Sequence, residues 1–359
     1  MRLLPIRFAA KTHRAVGVWL LGVAALVALM VIVGGLTRLT DSGLSITEWR
    51  PVTGAIPPMS DADWQSEFAK YQASSEYRLQ NRGMSLDAFK TIYWWEWGHR
   101  FLGRLIGAAF LIPFLVFLFR GMIARPLVPR LVALFVLGGA QGALGWWMVR
   151  SGLADRIDVS QYRLAAHLAL AFGLFGLLLW TGFEVLGVRR SRTPALGRAA
   201  MAFLVLVSVQ IVLGAFVAGL DAGHAFDSWP GHGGYLLPPG LYELSPAWTN
   251  HFENPALAHI QHRLIGYAVV FAALWLAVSS LVRGNAGKPA RIAAVHVAAF
   301  AILQALLGIL TAVWQVPIAM AAAHQAGALA LFGASVWLVY VLTPATSSFE
   351  ARLLPRTSG

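Results

Sequence analysis

The segment HRFLG at residues 99–103 has a second copy, HRLIG, at residues 262–266. Each copy stands near the beginning of an apolar run of about 20 residues, the length that spans the hydrocarbon core of a bilayer. Ionisable side chains are costly inside a membrane, so a histidine and an arginine repeated in two such runs indicate a function. The repeat predicts a membrane protein built from two related halves, each with a histidine site.

Six further apolar runs of similar length bring the number of predicted transmembrane helices to eight. Helices 1 to 8 are predicted at roughly residues 15–36, 98–119, 129–149, 164–186, 198–220, 257–281, 291–313 and 318–342. Of the 359 residues, 58% are hydrophobic and 12% are charged, whereas about 25% are charged in a typical soluble protein. The sequence therefore predicts an all-α membrane protein that is surrounded by the lipid bilayer.

The net charge of +12 is compatible with nucleic-acid binding, but its distribution argues against it. Most basic residues lie on short segments that are inside if the N-terminus is inside, and most acidic residues lie in the outer loops. This is the positive-inside pattern of membrane proteins. We expect both termini inside and no nucleic-acid partner. The chain has no cysteine, which excludes disulfides, thiolate metal sites and a cysteine nucleophile.

Further features occur once in each half, in the same order. Asp-x-Gly follows helices 1 and 5, a glutamine stands four residues before a glycine in helices 3 and 7, and Ala-Ala-His occurs at residues 165–167 and 322–324. Because four helices separate the copies, both halves have the same orientation in the membrane. We expect two tandem, pseudo-symmetric four-helix bundles, at residues 1–192 and 193–359.

Four histidines lie near the predicted outer ends of helices 2, 4, 6 and 8. They are His99, His167, His262 and His324. A small residue that leaves room for a flat macrocycle stands four positions after each histidine, on the same helix face. These small residues are Gly103, Ala171, Gly266 and Ala328. Helix packing through small residues is an alternative explanation for them, but not for four matched histidines. The pattern predicts a bis-histidine haem site in each half.

Other candidate ligands lie beside these histidines and in the outer loops. Arg100 and Arg263 directly follow two of the histidines and could each pair with a haem propionate. The alternative is an arginine that extends to the membrane interface without a ligand. The outer-loop histidines His224, His232 and His251 could bind a metal, although their spacing matches no compact site.

Several of these segments resemble the haem A synthase family. The resemblance rests on GGLTRLTDSGLS at residues 34–45, EWGHR at 96–100, QHR at 261–263 and AHQ at 323–325, and it covers nearly the whole chain. It implies eight helices from a four-helix duplication, one haem site per half, and oxidation of the C8 methyl group of haem O to an alcohol and then to an aldehyde. The lack of cysteine is similar to the branch of the family found in mitochondria and proteobacteria.

The resemblance also implies ligands, partners and a location. Haem O is the implied substrate, haem B the cofactor, and haem A the product used by cytochrome oxidase. The implied partners are a haem O synthase, cytochrome oxidase assembly factors and a second copy of the chain in a homo-oligomer, whereas no motif indicates the electron donor. The implied location is the inner membrane of a bacterium, with the haem sites towards the outer side.

One difference between the repeats predicts that only the first half performs the chemistry. Alignment of His99 with His262 places Glu96 opposite His259. Glu96 shares a helix face with His99, and a buried carboxylate is costly. We interpret Glu96 as a catalytic group that moves a proton or stabilises a developing cation. The alternative role for Glu96 is a pair with Arg100.

This interpretation assigns a different haem to each half. Haem O is expected between His99 and His167, in residues 1–192. Haem B is expected between His262 and His324, in residues 193–359, as an electron relay.

Two other functions would also use histidines on helices. A di-haem electron-transfer subunit of the cytochrome b type usually has haems at two depths, whereas all four histidines here are near the outer side. A haem or metal transporter predicts polar groups along a path, but helices 1, 3, 5 and 7 have no acidic residue at their centres.

Overall fold

The computed structural model describes residues 10–153, 157–191, 193–282 and 286–343. Its eight long helices, labelled in chain order, are α1 (Ala10–Leu39), α2 (Leu86–Phe119), α3 (Val128–Leu153), α4 (Gln161–Val185), α5 (Pro194–Gly219), α6 (Pro255–Val282), α7 (Lys288–Val313) and α8 (Ile318–Leu342). Each is long and apolar enough to cross a membrane, so the predicted all-α membrane protein with eight helices is confirmed. The predicted boundary at residue 192 and both termini lie outside the described residues.

The long helices pack in two rings of four. In the first ring α1 contacts α2, α2 contacts α3, α3 contacts α4, and α4 returns to α1. The helices α5 to α8 contact each other in the same order. The rings meet where α4 packs against α5 and α8, and where α1 packs against α8. The histidine-bearing helices α2 and α4 therefore stand at opposite corners of one ring, and α6 and α8 at opposite corners of the other.

Polar caps set the outer ends of two histidine-bearing helices. The hydroxyl of Ser85 accepts a hydrogen bond from the backbone N–H of Ala88 (3.2 Å), so α2 begins well before the apolar run that predicted it. The carboxamide oxygen of Asn254 accepts bonds from the N–H groups of Ala256 (3.0 Å) and Leu257 (3.2 Å) at the start of α6. Such side-chain acceptors satisfy N–H groups that have no partner within the helix.

The first outer loop forms a folded helical layer. It contains the helices Asp61–Gln72 and Ser75–Leu79. Ser60 and Asp63 form a reciprocal capping box at the first of these. An aromatic cluster packs both helices against the outer part of α2. Its buried members include Trp64, Phe68, Tyr71, Phe89 and Tyr93.

The second outer loop, between α5 and α6, is built mainly from turns. Its regular elements are the short segments Ala222–His224, Ala247–Thr249 and Asn250–Glu253. The fully buried side chain of Asn250 bonds to both backbone groups of Leu244, at 3.0 and 2.9 Å. The two halves thus have similar helices in the membrane and different layers above them.

Candidate functional site

The histidine pair of the second half faces inward from α6 and α8, which stand at opposite corners of the four-helix bundle. The ring centroids of His262 and His324 are 6.3 Å apart, and the ring planes are nearly perpendicular, at 82°. In both rings Nδ1 is buried and has no hydrogen-bond partner among the described residues. Two imidazoles that bind one metal ion at about 2 Å hold their ring centres roughly 6 Å apart. The pair therefore fits a shared iron, with one free nitrogen on each ring.

Each of these two rings lies against a glycine of the preceding helix. A Cβ atom built on Gly214 would lie 3.0 Å from Cε1 of His262, and one on Gly308 would lie 2.8 Å from Cε1 of His324. A larger residue at either position would displace the ring because Cβ contacts this short are rare. The glycines thus make the space in which the imidazoles sit.

The first half has the same arrangement. A Cβ atom on Gly145 would lie 2.9 Å from Cε1 of His167, and one on Gly34 would lie 2.9 Å from Nε2 of His99. His99 lies on α2 and His167 on α4, at opposite corners of the first ring of helices, as His262 and His324 do in the second. The structure therefore gives both pairs that the sequence singled out the same placement.

Glu96 is buried, with 2% of its surface exposed, and both of its oxygens have partners. Oε1 accepts hydrogen bonds from Nε (3.1 Å) and Nη2 (2.7 Å) of Arg100. Oε2 accepts bonds from Ser45 Oγ (2.8 Å) and from the N–H of Ile46 (2.7 Å). Arg100 also donates to the carbonyl oxygens of Ile46 and Glu48, both at 2.9 Å. The alternative pair of Glu96 with Arg100 is present, and it ties the loop after α1 to α2.

His259 occupies the matching place in the second half. Its Nε2 accepts a hydrogen bond from Nε of Arg263 (3.0 Å), so Nδ1 carries the proton and donates to the carbonyl of Ala222 (2.8 Å). Nη1 of Arg263 donates to the carbonyls of Ser228 (2.9 Å) and Gly231 (3.0 Å). Nη2 of Arg263 is buried and has no partner among the described residues.

The two arginines therefore differ in their availability to an anion. Arg100 is held by a carboxylate and two carbonyls. Arg263 has a neutral imidazole as its side-chain partner and an N–H group to spare. A buried cation of this kind suits a carboxylate such as a haem propionate, which favours Arg263 as the propionate contact. The predicted contact of Arg100 stays a prediction.

Some residues at these sites were not singled out by sequence reasoning. Ser45 and Ile46 were missed as partners of Glu96, although Ser45 ends the quoted segment at residues 34–45. Gln210 was also missed: its Nε2 lies 3.3 Å from Nε2 of His262 and donates to the His262 carbonyl (2.9 Å). The signal for Gln210 is its position four residues before Gly214.

The outer-loop histidines do not converge on a metal site. Nδ1 of His232 bonds to the carbonyl of Leu236 (3.1 Å), and Nδ1 of His251 lies 2.9 Å from the carboxamide oxygen of Gln261. Within the part of the chain that the structure describes, no group of three or more His, Asp or Glu side chains is placed to hold a metal ion.

Comparison with known proteins identifies the family. A sequence profile described as "Cytochrome oxidase assembly protein" matches residues 17–336. A haem A synthase of Parvibaculum lavamentivorans is 54% identical over 331 residues, which is 92% of this chain and 95% of that protein. Haem A synthases of Maricaulis maris and Azorhizobium caulinodans are each 50% identical, over 90% and 89% of this chain and 94% and 92% of their own lengths. This chain belongs to the haem A synthase family.

Proposed function

We propose that this protein is a haem A synthase, which oxidises the C8 methyl group of haem O to a formyl group through an alcohol. The observation that carries the proposal is the facing pair His262 and His324, with an unpartnered nitrogen on each ring. The matching pair His99 and His167, with a glycine against each imidazole and helices at opposite corners, supports a second site of the same kind. The relatives described above, which align over nearly their whole length, are named haem A synthases.

The two sites have different occupants in this proposal. Residues 193–359 hold the cofactor haem B between His262 and His324, with Nη2 of Arg263 directed to a propionate. Haem B supplies one-electron redox chemistry when it is bound. Residues 1–192 bind the substrate haem O between His99 and His167.

Glu96 is the proposed catalytic residue of the first half. It lies three residues before His99 on the same helix face, and its carboxylate is fixed by four hydrogen bonds. A carboxylate held in this way can stabilise positive charge that develops at the methyl carbon, or accept a proton from it. Its pair with Arg100 is compatible with this role because the arginine fixes the position of the carboxylate.

The proposed location and partners of the protein rest on the charge pattern and on the family. We place the protein in the inner membrane of a bacterium, with both termini inside and both haem sites towards the outer side. A haem O synthase supplies the substrate, and cytochrome oxidase assembly factors receive the product. A homo-oligomer is compatible with this arrangement, and the electron donor is a separate reductant.

The test is to co-express the full chain with a haem O producer in a host that makes no haem A, and to separate the extracted haems by chromatography. We expect haem A and its alcohol precursor beside haem B. The variant in which His99 and His167 are both replaced by alanine is expected to yield haem B without haem A. Haem B alone from the unaltered protein would instead indicate a di-haem electron-transfer subunit of the cytochrome b type.

A further inference from the structure

A glutamine contacts three of the four histidines from the preceding helix. Each glutamine stands four residues before the glycine against which the histidine ring lies, one turn away on the same helix face. We call the three residues the supporting glutamines: Gln141 in α3, Gln210 in α5 and Gln304 in α7. In α1 the corresponding residue, four before Gly34, is Met30. The histidine without a supporting glutamine is His99.

The supporting glutamines contact the imidazoles themselves. Nε2 of Gln141 lies 3.2 Å from Nδ1 of His167. Nε2 of Gln210 lies 3.3 Å from a ring nitrogen of His262, and Nε2 of Gln304 lies 3.4 Å from a ring nitrogen of His324. In all three glutamines Oε1 is buried and has no hydrogen-bond partner among the described residues.

These contacts matter when a ring nitrogen binds iron. The other ring nitrogen is then protonated, and a metal-bound histidine almost always donates this N–H group to an acceptor. A half-turn of the glutamine amide exchanges Nε2 and Oε1 and brings the unpartnered oxygen to the ring. In Gln141 and Gln210 the new bond replaces the one that Nε2 donates to the carbonyl of His167 (3.0 Å) or His262 (2.9 Å). Each glutamine can thus orient its histidine and increase the electron donation of the imidazole to iron.

Met30 occupies the position of a supporting glutamine but lacks the hydrogen-bonding amide group. A Cβ atom on Gly103 would lie 3.2 Å from the methyl carbon of Met30, just as one on Gly266 would lie 3.2 Å from Nε2 of Gln210. A thioether is only a weak acceptor. The ring of His99 also differs from the others, because Nε2 rather than Cε1 is its atom nearest to the glycine.

We propose that the supporting glutamines make His167, His262 and His324 firm iron ligands, and that Met30 leaves His99 as the weak ligand through which haem enters and leaves the first half. This inference rests on the proposed function, in which the first half must bind haem O and release haem A while the second half keeps haem B. It assigns positioning roles to the three glutamines and explains the exchange by a missing hydrogen bond.

The experiment compares Met30→Gln with the matched control Met30→Leu in the purified full-length protein loaded with haem O. Release of haem O to an excess of apomyoglobin is timed, and the midpoint potential of the bound haem O is measured. We expect Met30→Gln to release haem O about tenfold more slowly, since support of a ligand typically changes metal affinity by about 10–100-fold. It should also lower the midpoint potential, because stronger donation favours ferric iron. Met30→Leu should match the unaltered protein in both measurements.

The second half supplies the reverse test. Gln210→Met should raise the midpoint potential of haem B and increase its loss during purification about tenfold. Equal release rates and equal potentials for Met30→Gln and Met30→Leu would overturn the proposal, as would an unchanged haem B potential in Gln210→Met. Both readouts are independent of turnover, so failure to convert haem O would count against the proposed function and not against the role of the glutamines.

Discussion

Arg100 and Arg263 lie at matching positions of α2 and α6, but the charge of their side-chain partners differs. In the first half Arg100 meets the carboxylate of Glu96, and the pair carries no net charge. In the second half Arg263 meets the neutral imidazole of His259 and keeps both its charge and a free N–H group. The uncompensated charge of Arg263 should attract an anionic haem edge more strongly than the neutralised Arg100–Glu96 pair does. This difference agrees with a permanent cofactor in one half and an exchangeable substrate in the other.

The comparison shows how a duplicated fold can acquire two tasks with few changes. The positions of the helices, the glycines and the histidines match between the halves, whereas the side chains that adjust charge and hydrogen bonding differ. Glu96 against His259 and Met30 against Gln210 are two such differences. In the proposed function, each of these differences changes the surroundings of a haem while the helices stay in place.

The largest expected effect comes from removal of the second histidine pair. With His262 and His324 both replaced by alanine, haem B has no axial ligand, and we expect loss of essentially all low-spin haem B from the purified protein. The measurement is the absorption spectrum with quantification of extracted haem. The matched variant, alanine at His99 and His167, should keep haem B. An unchanged low-spin spectrum without His262 and His324 would disprove the assignment of the cofactor to the second half.

The next largest effect is expected for Glu96→Gln, which keeps the size of the side chain and removes its charge. General acid–base groups typically contribute about 10²–10⁴-fold to rate, so haem A formation should fall by at least about 100-fold while haem B stays bound. His259→Gln, the matched change in the second half, should leave much more haem A activity than Glu96→Gln leaves.

Ser45→Ala separates the structural role of Glu96 from its chemical role. It removes one hydrogen bond to the carboxylate and leaves the charge. If Glu96 only ties the outer loop to α2, Ser45→Ala and Glu96→Gln should reduce haem A formation to a similar extent. Near-normal haem A output from Glu96→Gln would exclude a catalytic role.

The sequence predicted the scaffold better than the local chemistry. Apolar runs located all eight helices because span length and hydropathy are fixed by the bilayer. The repeat also identified all four histidines. The pair of Glu96 with Arg100 was given as an alternative because the two residues are one helix turn apart. The loop partners Ser45 and Ile46 could not be predicted, because they lie about 50 positions earlier and reach Glu96 only through the folding of the outer loop.

A smaller effect is expected from pH, with opposite signs in the two outer layers. Burial, followed by the charges of Glu96, Asp41 and Asp158, raises the pKa of Glu76 to about 8. The folded first layer therefore binds a proton that the unfolded loop releases above pH about 4.5, and its stability falls as pH rises to about 8. Glu76→Gln should remove this dependence. Between pH about 4.5 and about 8, the free energy of unfolding of the variant relative to the unaltered protein should rise by at most about 1.4 kcal/mol per pH unit.

The second layer should show the reverse dependence. Burial, and then the charge of Arg263, lowers the pKa of His232. Below pH about 6.5 His232 binds a proton in the unfolded loop but not in the folded loop, so the stability of the folded loop is lost as pH falls. His232→Asn keeps a donor for the Leu236 carbonyl and should abolish the acid sensitivity. Hydrogen exchange of each loop, compared between variant and unaltered protein at each pH, measures both effects. A first layer that loosens in acid instead would contradict the assignment to Glu76.

The smallest effect is expected at the junction of the halves, where Arg38 of α1 crosses to the second half. Nη2 of Arg38 lies 2.6 Å from Oδ1 of Asp221 and donates to the carbonyl of Ala218 (3.1 Å). Ala218 is the residue that corresponds to Arg38 in the second repeat, so this link exists only once. The Asp221 side chain is 58% exposed, and ion pairs near the surface typically contribute about 0–1 kcal/mol.

A double-mutant cycle of Arg38→Gln and Asp221→Asn should therefore give a coupling of at most about 1 kcal/mol in thermal unfolding. The coupling should shrink in 1 M salt, where charges are screened over about 3 Å. Asp41→Asn is the matched control within the first half, because Asp41 pairs with Arg38 at a longer distance of 3.4 Å and should couple more weakly. Haem B content should not change in any of these variants, because the link lies outside the histidine pairs. A coupling several times larger, or loss of haem B on breaking the link, would mean that the halves depend on each other for the geometry of their sites.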